Sequence, residues 1–299
     1  MTKRPPARRA SRARTFAITL AAALLVAGCG RTSSPSPSGS PEPTPGPSKT
    51  PVGVEHPTGA RDVVLRFEEG GGFVPMGFLA GQAPIFTLYG DGTVIFRDFS
   101  RPQPVRIGDA QPQIAFETVR LTEEEIQDLL DFALAPGALG IARASYVQGG
   151  VADAPTSIFT IAAGGLTKTV SVNGLGFDNE QNPDRLILKQ LASLGERLRG
   201  FNAVGATVWS PDRYRGILSP DAFGNAREWP WPNVKPSDFH ELKLANGFTW
   251  NARTMSPAEI AALKMSGIKG GVLNVVLAGP GDGNVYSFTL RPLLPDETA

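Results

Sequence analysis

Few residues of this chain are equipped for chemistry. Its 299 residues include one cysteine, Cys29, and two histidines, His56 and His240. A cysteine thiol is a nucleophile and an acceptor for acyl groups. A single one rules out an internal disulfide and a thiolate zinc cage. A Ser-His-Asp hydrolase needs a histidine base beside a serine held on a tight elbow. His240 is the only histidine after residue 58, and the chain has no Gly-x-Ser-x-Gly run. Gly70-Gly71-Gly72 lacks the Lys-Ser/Thr tail of a phosphate-binding loop. Asp91 lacks companion acids at calcium-loop spacing. Paired carboxylates can hydrolyse glycosidic bonds unaided by other groups. Asp98, Asp109, Asp153, Asp178 and Asp238 all lie beside loops, but no spacing singles out two of them. No catalytic residue, metal ligand or cofactor site is predicted.

One aromatic motif suits binding. Trp229-Pro230-Trp231-Pro232 holds two indoles on a stiff backbone. Trp229 and Trp231 are therefore candidate ligand-binding residues, able to stack on a sugar or a proline-rich chain. The competing expectation is a rigid loop that packs both rings on the core.

Cys29 takes its meaning from what precedes it. Lys3, Arg4, Arg8, Arg9, Arg12 and Arg14 make a basic start, and residues 15–27 are almost wholly apolar. A helix through that run is about 20 Å long, short of the roughly 30 Å hydrocarbon core. It reads as a secretory signal peptide rather than a permanent span. Val26-Ala27-Gly28-Cys29 resembles the lipobox of bacterial lipoproteins. The resemblance implies cleavage between Gly28 and Cys29 and acylation of the Cys29 thiol. It also implies attachment to lipid of the cell membrane on its extracytoplasmic side. Two acyl chains on one residue suffice for stable anchoring.

Six of the 29 basic residues leave with segment 1–28, leaving 23 against 28 acids. A mildly acidic mature chain has no electrostatic footprint for nucleic acid. Residues 29–58 are rich in Ser, Pro, Thr and Gly and read as a disordered tether that cannot bury enough apolar surface to fold.

The remainder reads as α+β: antiparallel, hairpin-rich sheets packed with a few helices. Val63–Phe67 reads as a strand and Gly70–Gly72 as a loop or bulge after it. Residues 85–96 form a hairpin turned at Gly90-Asp91-Gly92, and 156–172 a second one turned at Ala163-Gly164-Gly165. Between them Thr122 and Glu125 make a capping box, with Leu121, Ile126, Leu129, Leu130 and Ala133 as the apolar stripe of a helix. Asn182-Pro183 is expected to cap another helix with Leu186, Ile187, Leu191, Leu194 and Leu198 inward, stopped by Gly200. Residues 206–209 suggest a strand, and 239–251 a strand pair turned at Asn246-Gly247. Ser256 to Glu259 is a second capping box, and 272–290 a third hairpin. Both stretches, 59–201 and 202–299, follow the order hairpin, boxed helix, hairpin, compatible with two similar halves or one continuous domain. Leu88 to Gly92 and Asp153-Ala154-Pro155-Thr156 also resemble matching runs in uncharacterised envelope lipoproteins of unknown function.

The function expected from these features is a membrane-anchored, non-enzymatic binding or interaction module of the cell envelope, with an envelope protein or cell-wall glycan as partner. The alternatives are a carboxylate-dependent hydrolase of envelope polymer and a purely structural lipoprotein.

Overall fold

The computed structural model describes residues 53–74, 76–148, 152–177, 180–220, 222–243, 249–281 and 283–298. Cys29 and its signal and tether lie outside them, apart from the last tether residues, as do Asp178 and the turn at Asn246-Gly247. In chain order the elements are β1 (Val63–Gly71), α1 (Met76–Ala80), β2 (Phe86–Tyr89), β3 (Thr93–Arg97), β4 (Gln111–Pro112) and β5 (Phe116–Arg120). Next come α2 (Glu123–Leu134), β6 (Ser145–Val147), β7 (Pro155–Ala163), β8 (Leu166–Asn173), α3 (Arg185–Arg199) and β9 (Thr207–Val208). The last are β10 (Tyr214–Ser219), β11 (His240–Lys243), β12 (Thr249–Met255), α4 (Pro257–Ala261), β13 (Val272–Ala278) and β14 (Val285–Pro292).

The strands form two sheets, ordered β6-β8-β7-β1-β2-β3-β5-β9 and β11-β12-β10-β14-β13-β4. Every pairing is antiparallel except β6 with β8. The fold is thus a sheet-rich α+β structure. The turn at Gly90-Asp91-Gly92 forms where local chemistry places it: Gly92 has φ +85°, and Asp91 Oδ1 accepts from the Thr93 amide at 3.0 Å.

In each sheet a central strand, β1 or β10, is flanked by one strand from each of two hairpins. The connectivity differs. β1 pairs with the first strand of each hairpin, β2 and β7. β10 pairs with the second strand of each, β12 and β14. The likeness between the stretches is one of element order, not of strand connection.

Helices α2 and α3 cover one face of the first sheet. Thr122 caps α2 through the reciprocal box with Glu125, and Ile126, Leu129, Leu130 and Ala133 are buried. In α3 the buried line is Leu188, Leu191, Leu194 and Leu198, whereas Leu186 is 78% exposed. The helix is rotated from the expected face because Leu186, Ile187 and Leu188 are consecutive, and only packing selects among them. Its N-cap is Asp184, which makes no side-chain cap; Asn182 Oδ1 instead accepts from the Asp184 amide at 2.9 Å. Beneath α3, Phe67 and Phe159 stack 4.9 Å apart. Another difference concerns β1, which runs on through Gly70 and Gly71, because β7 offers partners for both in Thr156 and Pro155.

Candidate functional site

The opposite face of the first sheet meets the second across a charged layer, and the C-terminal segment fills much of it. Arg66 on β1 donates to Asp296 Oδ1 at 2.6 Å, and the Tyr89 hydroxyl donates to the same oxygen at 2.7 Å. Arg291 on β14 makes a two-pronged pair with Glu297, 2.8 and 2.5 Å. Arg213 and Arg215 donate to the carbonyls of Glu297 and Thr298. Burial pushes the Glu297 carboxyl up, but Arg291 outweighs this and holds it below its ordinary value. Glu68, with no such two-pronged partner, is raised by burial against the pull of Arg66.

Beside this layer opens a cleft of about 770 Å³. That size suits a ligand of several rings or residues. β1 supplies Glu69, Gly70 and Gly71 to its wall, and the α1 region supplies Val74, Phe78, Gln82 and Ala83. The end of β3 and the loop after it supply Arg97, Phe99, Gln103, Pro104 and Arg106. The second sheet adds Gln111, Leu273 and Asn274, with Gln113 beside it. Five primary amides, two guanidiniums and two half-exposed phenyl rings therefore share one concavity.

Several local features build this wall. At Gly70 the Gln82 amide occupies the space a Cβ would take, so a larger residue there would shift that side chain. Asn274 has φ +60° at the point where the β13–β14 register shifts between Val272 and Val275. Such bulges re-aim a side chain, and asparagine tolerates the left-handed region better than most residues. Arg97 lies with its guanidinium 4.5 Å from the Phe116 ring centroid and donates through Nη2 to the Gly270 carbonyl at 3.1 Å. Burial, and secondarily the repulsion of Arg291, pulls its pKa down to about 10. Arg97 Nε and Gln82 Nε2 are buried donors without a hydrogen-bond partner among the described residues. Buried orphan donors are costly, and both residues line the cleft.

The cleft has one carboxylate among the described residues, Glu69. It accepts from Arg199 and, at 3.1 Å, from the Ser157 hydroxyl. Asp98 accepts from Ser100 and pairs with Arg101, Asp238 accepts from the Lys235 amide, and Asp109 and Asp153 are exposed. None of these acids joins another in the cleft, where a glycosidase needs two about 5–10 Å apart. His240 is exposed on β11. No group of three metal-ligating side chains converges among the described residues.

Trp229 and Trp231 lie elsewhere, on the far side of the second sheet. Trp231 is 3% exposed, and its indole donates to the Glu259 carbonyl at 2.8 Å. Trp229 is half-buried and donates to the Val234 carbonyl at 2.6 Å. The two rings meet edge to face at 5.2 Å, and Trp231 packs on Phe288 at the same separation. This is the packed-loop arrangement. The prolines stiffen the loop so that it inserts its rings into the core, and Trp231 presents no open face for stacking.

The cleft had no signature in the chain, because its residues come from five separate segments. Only the glycine run and the odd density of glutamines between Gln103 and Gln113 could have drawn attention to it. No protein family, curated protein or solved structure matches this chain.

Proposed function

We propose that the chain is a lipid-anchored, extracytoplasmic binding module whose ligand, a component of the cell envelope, seats in the cleft between the sheets. The anchor half rests on the signal-like start and the lipobox resemblance at Cys29. Among the described residues no helix is long and apolar enough to cross a membrane, and the anchor reading requires none there. The binding half rests on one observation above others: a cleft of about 770 Å³ whose described lining gathers five primary amides and two guanidiniums. A binding role suits amides and guanidiniums, whereas hydrolysis needs a second acid, and Glu69 is the one carboxylate among the described lining residues.

The test is a cleft-blocking substitution. Gln103 is an exposed loop residue on the cleft rim, so Gln103→Trp places an indole over the opening without disturbing the core. The full chain in detergent is titrated with a solubilised cell-envelope digest and binding is followed by calorimetry. The expected result is saturable binding to the wild type, weakened at least tenfold in Gln103→Trp. Equal binding by both proteins would move the site away from the cleft.

A further inference from the structure

Resting on the cleft as the binding site, we infer that its ligand is an acidic saccharide: the carboxylate is countered by Arg97, the hydroxyls are met by the surrounding amides, and a ring face lies on Phe78 or Phe99.

The charge argument comes first. Of the neighbouring arginines, Arg66 is matched by Asp296 and Arg291 by Glu297, while Arg215 donates to the Thr298 carbonyl and lies near Glu297. Arg97 has no carboxylate partner among the described residues, although its residue is only 9% exposed. A buried cation without an anion is expensive to hold. The one described carboxylate of the cleft, Glu69, already faces Arg199. A second cation, Arg106, sits exposed on the rim and donates to the Asp109 carbonyl at 3.0 Å. The wall therefore favours an anion, and the planar guanidinium fits a carboxylate.

The amides identify the rest of the ligand. A primary amide both donates and accepts, as a sugar hydroxyl does. Gln82, Gln103, Gln111, Gln113 and Asn274 supply five. Phe78 and Phe99 are 43% and 44% exposed at the same cleft, which leaves apolar faces for the C–H side of a pyranose ring. An extended acidic peptide fits less well. The sheet edge bordering the cleft is β4, two residues long, and Pro112 has no N–H to donate to an added strand.

The experiment compares three probes on the full chain in detergent: tri-galacturonate, its neutral methyl ester and tri-glutamate. The expected result is that tri-galacturonate binds at least tenfold more tightly than its ester and than tri-glutamate. In Arg97→Gln that preference should fall below twofold, provided the variant melts cooperatively. If Arg97→Gln does not fold, the comparison of acid with ester in the wild type still decides the matter. Equal affinity for acid and ester would overturn the charge assignment. If envelope digest still bound in a Gln103-sensitive way, the binding role would survive that failure. Tighter binding of tri-glutamate would overturn the saccharide assignment in favour of a peptide. Absence of saturable binding by tri-galacturonate at millimolar concentration would overturn it outright.

Discussion

Arg66 and Asp296 are 230 residues apart in the chain and meet at 2.6 Å between the two sheets. Their side chains are 14% and 18% exposed, and the Tyr89 hydroxyl closes on the same carboxylate oxygen. The C-terminal segment thereby acts as a clasp. Leu294 packs on Tyr89, Ile95 and Phe116 of the first sheet, while Glu297 holds Arg291 of the second.

The clasp makes the first prediction. Asp296→Asn keeps an acceptor for Tyr89 but removes the ion-pair partner of Arg66 in a largely dry place. The expected loss of stability is about 3 kcal/mol, as for breaking one partner of a buried pair. Urea unfolding measures it. A loss under about 0.5 kcal/mol, the scale of a surface pair, would show that the segment merely rests between the sheets.

Glu68 gives a pH dependence with a definite sign. Burial raises its carboxyl above the ordinary 4.5, so the folded state penalises the charge. That cost is present above the folded pKa, fades as pH falls through it, and is gone below the unfolded value. Glu68→Gln should therefore raise the melting temperature at pH 7 by roughly 1–3 °C. At pH 4 the gain should be close to zero. A gain equal at both pH values would mean that the effect is packing, not charge.

Gly216 tests the packing of the second sheet. It sits on β10 between Arg253 and Leu290, and a Cβ there would stand 2.5 Å from Met255 Sδ and 2.8 Å from Phe288 Cε2. The methionine can yield, but Phe288 is hemmed in by Trp231 and Phe239. Gly216→Ala is expected to cost about 1–3 kcal/mol by overpacking, with an unchanged denaturant slope. A neutral substitution would show that the layer beneath β10 is looser than its contacts imply.

Cys29 carries the anchoring prediction. Cys29→Ala should yield a protein without lipid modification, detected by mass spectrometry and by its release from the membrane fraction. Recovery of a lipid-modified species from that variant would refute the lipobox reading.

What the chain alone determined was local. The capping boxes at Thr122 and Ser256 and the turn at Gly90-Asp91-Gly92 form as expected, since each is settled by hydrogen bonds and backbone torsions within a few residues. Tertiary packing decided the rest. Three consecutive apolar residues open α3, and only packing into the core of the first sheet turns Leu188 inward and leaves Leu186 in water. Trp231 could be read as exposed or buried until the loop carrying it was seen to insert against Phe288. The cleft lay furthest from reach. Arg97 becomes a buried, unmatched cation only because β13, 175 or more residues later, brings its own strand edge and Asn274 against the end of β3. Residue type is written in the chain, but burial and unmet charge depend on distant segments that meet only when the sheets close on each other.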